Sequence, residues 1–219
     1  MEPIPKALLE LQALPQWVCW RLETPAGRTK PTKVPYPPWG GHAKTDAPKT
    51  WSTYRTVEDA KVRFNGVGLV LTPEDPYTGI DLDACIDEHG EIAPQALAEV
   101  ERFTSYTEIT PSGKGLRIWL KGRLTEHGRR KKLDGGAILE VYDRTRFFTV
   151  TGRHLAGTPE TIEERQDELT AFMAEHFPEE PATAAAAVVV QSPAPQMTNG
   201  AGPRVLEGPA LLEKAFAAK

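Results

Sequence analysis

Gly79-Ile80-Asp81-Leu82-Asp83-Ala84-Cys85 is the stretch whose reading decides the rest. Ile80, Leu82 and Ala84 alternate with Asp81 and Asp83, so in a strand both carboxylates share one face while the apolar set packs on the other. Two residues of strand set the carboxylate stems roughly 6.5 Å apart. Charges ~5 Å apart at an effective dielectric of about 20 repel by ~3 kcal/mol. A divalent cation between them offsets that repulsion, and carboxylate oxygens suit Mg²⁺ or Mn²⁺. The competing reading is a pair of solvated aspartates on an edge strand.

Two further groups of residues bear on that choice. Thr110-Pro111-Ser112-Gly113-Lys114-Gly115-Leu116-Arg117 puts two glycines around a lysine ahead of the predicted strand Leu116–Leu120. Such a turn can offer backbone N–H groups to a phosphate, with Ser112 and Lys114 adding donors. It is not a Walker A loop, because Glu108 stands where that motif needs its first glycine. Arg117 and Trp119 alternate against Leu116, Ile118 and Leu120, so Arg117 is expected to project away from the core, able to grip a phosphate bidentately. In Ile138-Leu139-Glu140-Val141-Tyr142, Glu140 and Tyr142 share a face. An acid inside an apolar strand is costly unless it binds something. The turn Asp143-Arg144-Thr145 predicts a hairpin, with Arg146 entering its second strand. Read alone, the first of these segments is equally a common hairpin loop, and the second a surface-facing edge strand.

A chain of 219 residues with 40% hydrophobic content supports one substantial core. The net charge of −4 excludes a uniformly basic nucleic-acid binder. The charge is nevertheless uneven: Lys114 to Lys132 holds eight basic residues and only Glu126 acidic, a local surface for anionic ligands. Cys19 and Cys85, each inside an apolar run, are expected to be buried free thiols, which suits a cytoplasmic location. No apolar run approaches the roughly 20 residues that span a bilayer.

Helices are predicted over Ile4–Leu14, from Thr56 to near Phe64, over Pro94–Phe103 and within Thr161–Phe177. Further strands are predicted over Trp17–Leu22, Val67–Leu71 and Phe147–Thr151. Strands and helices alternate in an α+β manner, without regular parallel crossovers. Arg28 to Tyr36 is basic and proline-spaced, hence extended, and can lie along a phosphate backbone or in solvent.

Taken in order, the Asp-x-Asp strand, the Ser-Gly-Lys-Gly-x-Arg loop, the glutamate strand and Arg146-Phe-Phe-Thr-Val-Thr-Gly152 resemble the archaeo-eukaryotic primase superfamily. The likeness is closest to the primase-polymerase domains of phages and plasmids. It covers about residues 15 to 155, and Trp17–Arg21, Lys30–Tyr36, Thr45–Trp51 and Gly66–Leu71 agree with the upstream pattern. The resemblance implies a mixed α/β catalytic domain, with an RRM-like antiparallel sheet flanked by helices and an N-terminal subdomain. It implies that Asp81, Asp83 and Glu140 are catalytic and hold two Mg²⁺ or Mn²⁺ ions. Ser112, Gly113, Lys114, Gly115, Arg117, Tyr142 and Arg146 would meet the nucleotide, and Lys30, Lys33, Arg129 and Arg130 the DNA. The implied partners are NTPs or dNTPs, single-stranded template and primer, and a helicase or C-terminal helical domain; the fragment itself is expected to be a monomer in a bacterial or phage-infected cell. One departure stands out. The superfamily's second motif usually ends in a histidine near the triphosphate, and here that place holds Arg117, which binds phosphate but does not shuttle protons near neutrality.

The expected organisation is a catalytic domain over 1–177, a Pro/Ala/Gly-rich linker over 178–203 and, over 204–219, the start of a further helical region that is expected to be truncated. The five histidines lack metal-ligand spacing, so no zinc site is expected. Two other functions use part of the same residues. A nucleotide- or single-strand-binding module needs the basic loop but not Glu140, and a two-metal nuclease needs the acids but not a triphosphate loop.

Overall fold

The alternation along Tyr77–Asp83 makes it the central strand of a five-stranded sheet in the computed structural model, which describes residues 6–27, 29–133 and 136–178. In chain order the elements are α1 (Lys6–Gln12), β1 (Trp17–Glu23), β2 (Thr32–Tyr36), α2 (Tyr54–Ala60), β3 (Gly66–Leu71), β4 (Tyr77–Asp83), α3 (Pro94–Phe103) and β5 (Thr107–Ile109). They continue with β6 (Leu116–Lys121), β7 (Arg129–Lys132), β8 (Ile138–Tyr142), β9 (Arg146–Val150) and α4 (Gln166–His176). Two antiparallel sheets result, ordered β2-β1-β3-β9 and β5-β6-β4-β8-β7. The fold is α+β, as the alternation predicted. Within the second sheet β4, α3, β5 and β6 form a split βαβ with a hairpin, and β8 closes on the far side of β4, the RRM-like strand order. The expected linker and helical region beyond residue 178 lie outside the described residues.

Local sequence accounts for most element ends. Pro94 sits at the first position of α3, where its missing N–H costs nothing, and Thr104 ends the helix in the left-handed region at φ 40°. The Thr53 hydroxyl accepts from the Thr56 N–H and so caps α2; the helix therefore starts earlier than the expected Thr56.

The helix-facing side of the five-stranded sheet is apolar. Ile80, Leu82, Leu116, Ile118, Leu139 and Val141 pack under Val100 and Phe103 of α3 and Leu169 and Phe172 of α4. Burying each such side chain contributes about 1.5–3 kcal/mol. The second core lies over the other side, where Tyr77 and Trp119 meet Leu69, Leu71 and Phe148 of the four-stranded sheet, with Leu11 of α1 and Val57 of α2 completing it. Trp17, Trp20 and Trp119 are buried, while Trp39 is 63% exposed. Cys19 and Cys85 are buried free thiols, as expected. No helix among the described residues is long and apolar enough to cross a membrane.

Two expectations need correction. Strands β8 and β9 do not form a hairpin; β8 pairs with β4, whereas β9 crosses to the other sheet and pairs with β3. The cause is the intervening turn. Asp143 is fully buried and accepts from the Leu124 N–H and the Arg144 guanidinium. Thr145, in the left-handed region at φ 53°, donates its N–H to the Leu71 carbonyl at 3.0 Å. The basic run Arg129–Lys132, for which no strand is predicted, is the exposed edge strand β7. Register with β8 makes it a strand, and periodicity gives no warning because all four residues are solvated and cationic.

Candidate active site

Cross-strand register assembles the site. Asp81 of β4 lies opposite Arg117 of β6 on one side and Glu140 of β8 on the other. Glu108 of β5 lies opposite Arg117, and Arg130 of β7 opposite Glu140. Directly opposed residues in antiparallel strands point to the same face. Glu108, Arg117, Asp81, Glu140 and Arg130 therefore form one charged row across all five strands, on the face away from α3 and α4, with the acids Asp81 and Glu140 side by side at its centre. Asp83, two residues along β4 from Asp81, projects from the same face.

The row's inner half is buried and tightly bonded. Arg117, 2% exposed, donates from Nε to Asp81 Oδ1 at 2.7 Å and from Nη2 to Asp81 Oδ2 at 2.8 Å. Its Nη1 donates to the carbonyl and, at 2.9 Å, to the hydroxyl of Thr149 in β9. The Phe148 ring lies 4.6 Å from the guanidinium carbon. The sheet alternation thus keeps Arg117 off the helix-side core as expected, but β9 covers it, and its donors face protein groups rather than an open pocket. The outer half is more open. Glu140 accepts from Arg130 Nε at 2.7 Å and Arg146 Nη2 at 3.2 Å, and Arg146 stacks over the Tyr142 ring at 4.4 Å.

The middle of this row floors a cleft of about 820 Å³ between the sheets. Asp81, Asp83, Arg117 and Glu140 line it from below, Lys33 and Pro35 of β2 from one wall, Arg146 to Thr149 of β9 from the other, and Lys44 to Asp46 at the mouth. Burial pushes the Asp83 carboxyl up, and the neighbouring Asp81 and Glu140 charges add to it, with Lys33 and Arg117 opposing. Burial pushes the Lys33 ammonium down, and Arg117 reinforces this while the three acids resist it. These mutual effects place Lys33 within the electrostatic reach of all three carboxylates.

The glycine-lysine turn abuts the same strand end. A Cβ on Gly115 would lie 2.8 Å from the Leu82 carbonyl oxygen and 3.3 Å from Asp83 Cα, so only glycine lets the turn sit there. The Gly113 N–H goes to the Thr110 carbonyl and the Lys114 N–H to the Ser112 hydroxyl, leaving the exposed Ser112 and Lys114 side chains as the outward groups. Lys30 and Arg129 are exposed away from the cleft lining. Sequence reading passed over Glu108, Thr149, Lys44 and Asp46 as site residues. Only Glu108 left a signal, an acid within the apolar-flanked Thr107–Ile109, and a three-residue strand is too short for periodicity to expose it.

The oxygen-only donor set of Asp81, Asp83 and Glu140 fits a hard cation. Asp81, paired with Arg117, and Glu140, paired with Arg130 and Arg146, do not converge with Asp83 to within 4.8 Å as a trio. The group that does, among the described residues, is Glu99, Glu175 and His176 on α3 and α4. Arg102 pairs with both of those glutamates, at 3.3 and 2.6 Å, which makes that group a helix-tying ion-pair network.

A sheet of RRM-like order carrying three carboxylates on its open face is the architecture that the resemblance to primase-polymerases implied. Comparison with known proteins agrees. Over 178 residues, 78% of its length, the chain is 37% identical to a DNA primase-polymerase of Nitratiruptor phage NrS-1. That places it among the relatives of phage-type primase-polymerases. The chain spans about a quarter of that relative, 23% of its length. No family model matches.

Proposed function

We propose that the domain carries out template-directed nucleotidyl transfer, as a DNA primase, a DNA polymerase or both, in the replication of a phage or mobile element. The observation that carries this reading is the register that sets Asp81 directly beside Glu140, with Asp83 on the same face, in a cleft walled by Lys33, Lys44 and Arg146. Asp81, Asp83 and Glu140 would hold two Mg²⁺ or Mn²⁺ ions, which when bound lower the pKa of a 3′-hydroxyl and offset charge on the leaving pyrophosphate.

The chain's own residues supply the rest. Arg146, Lys33 and Lys44 offer the cationic wall that a triphosphate requires, and Arg146 is braced for it by the Tyr142 ring. Ser112 and Lys114 lie outside the cleft lining, on the turn that Gly115 seats against the Asp83 end of β4, and would reach the phosphates from there. Arg117 acts from beneath by fixing the Asp81 carboxylate. Template and primer follow the exposed cations Lys30, Arg129 and Arg130, with an affinity that falls as salt rises.

Incubating the chain with a primed template, labelled dNTPs and Mg²⁺ or Mn²⁺ tests this. Extension is expected. Retention of DNA without extension would identify a binding module, and shortening of the labelled strand a nuclease. The same assay on unprimed template with NTPs shows whether synthesis begins de novo.

A further inference from the structure

Glu108 lies at the buried end of the charged row and is 0% exposed. Its Oε2 accepts from the N–H groups of Thr151 and Gly152 at 3.1 and 2.9 Å, which fixes the carboxylate in place. Its Oε1 is buried with no hydrogen-bond partner, 3.9 Å from Arg117 Nη1. Both Nη1 hydrogens are taken by Thr149, through its carbonyl and its hydroxyl, so none remains for Glu108. A buried carboxylate oxygen left unpaired beside a guanidinium is costly and calls for an explanation. Burial pushes the Glu108 carboxyl up, and Arg117 opposes that shift.

The neighbouring bonds supply one. Arg117 is a single charge between two buried carboxylates, and Asp81 has both of its oxygens on it. A cation drawing on Asp81 must weaken those two bonds, which would strand a buried guanidinium if nothing else could balance it. Glu108 is the only other acid within ion-pair distance of Arg117 among the described residues.

Resting on the nucleotidyl-transfer reading, we propose that Glu108 is a positioning residue: a second, fixed anion that retains Arg117 and so releases the Asp81 carboxylate to share a divalent cation. Thr149 sets the balance. Its hydroxyl keeps an Nη1 hydrogen away from Glu108 and thereby holds Arg117 on Asp81.

The test is Mn²⁺ affinity of the intact chain, without nucleotide or DNA, followed by electron paramagnetic resonance of free Mn²⁺. Glu108→Gln removes the second anion and is expected to weaken Mn²⁺ binding about tenfold, equivalent to ~1.4 kcal/mol. Thr149→Val frees a hydrogen for Glu108 and is expected to tighten binding, by about two- to threefold. A purely structural role for either residue shifts thermal stability and leaves Mn²⁺ affinity unmoved. Weaker binding by Glu108→Gln together with tighter binding by Thr149→Val supports the proposal; shifts in the same direction, or no measurable shift in either variant, overturn it. If Glu108→Gln does not fold, Thr149→Val decides alone, with unchanged or weaker binding counting against. Should the wild-type chain extend primers yet both variants bind Mn²⁺ as it does, the inference falls and the polymerase reading stands. If the wild-type chain binds no Mn²⁺, the inference falls, and if it also extends no primer, the polymerase reading falls with it.

Discussion

The two faces of the five-stranded sheet are built from the same strands and do different work. Ile80, Ile118 and Val141 lie side by side on the helix face, one residue from Asp81, Arg117 and Glu140 on the other. The helix face gains stability by excluding water, and any apolar residue of similar volume serves. On the cleft face charge is buried at a cost and retained by pairing, Asp81 with Arg117 across the strands and Glu140 with Arg130 and Arg146. The contrast implies that neighbouring residues of one strand respond to substitution in separable ways.

The largest stability effect is expected on the cleft face. Arg117→Ala breaks a buried pair and should destabilise the fold by about 3–5 kcal/mol in urea unfolding, while Arg117→Lys loses the bidentate geometry and falls between. One residue along, Ile118→Val should cost only about 1 kcal/mol and leave Mn²⁺ affinity and primer extension at wild-type values. If extension fell with Ile118→Val, the two faces would not be separable.

Asp83 gives a pH-dependent version of the comparison. Its carboxyl is held above the ordinary value of 3.8, so the folded state binds that proton more tightly than the unfolded chain. The stability this gives is fully present below pH 3.8 and is lost as pH rises through the higher folded value. Asp83→Asn should therefore raise the melting temperature at pH 7 relative to wild type, in the absence of divalent cations, with the difference vanishing below pH 3.8. The smallest effect is expected at the solvated edge. Arg129→Ala should leave stability within ~0.5 kcal/mol and, in titrations with single-stranded DNA, reduce the salt slope by about 1.

Legibility from sequence followed the same division. Alternation along Ile80–Asp83 and Leu116–Leu120 separated the two faces correctly, because a period of two needs only one buried side to show. It did not reveal that β9 covers Arg117, since that depends on the Asp143–Thr145 turn sending the chain to the other sheet. A buried aspartate anchoring a loop reads in sequence like any polar turn residue. That Glu140 stands beside Asp81 is a matter of register between strands more than 50 residues apart, which local pattern does not encode and the family resemblance implied. Glu108 escaped notice because its importance lies in an oxygen with no partner.

Primer extension by Asp81→Ala/Asp83→Ala, compared with wild type after circular dichroism shows both folded, probes the charged face most directly. The expected result is loss of nucleotide incorporation by at least about 100-fold in a variant that still folds, though with lower stability because Arg117 loses its Asp81 partner. Incorporation at the wild-type rate would contradict the assignment of this row as the catalytic centre.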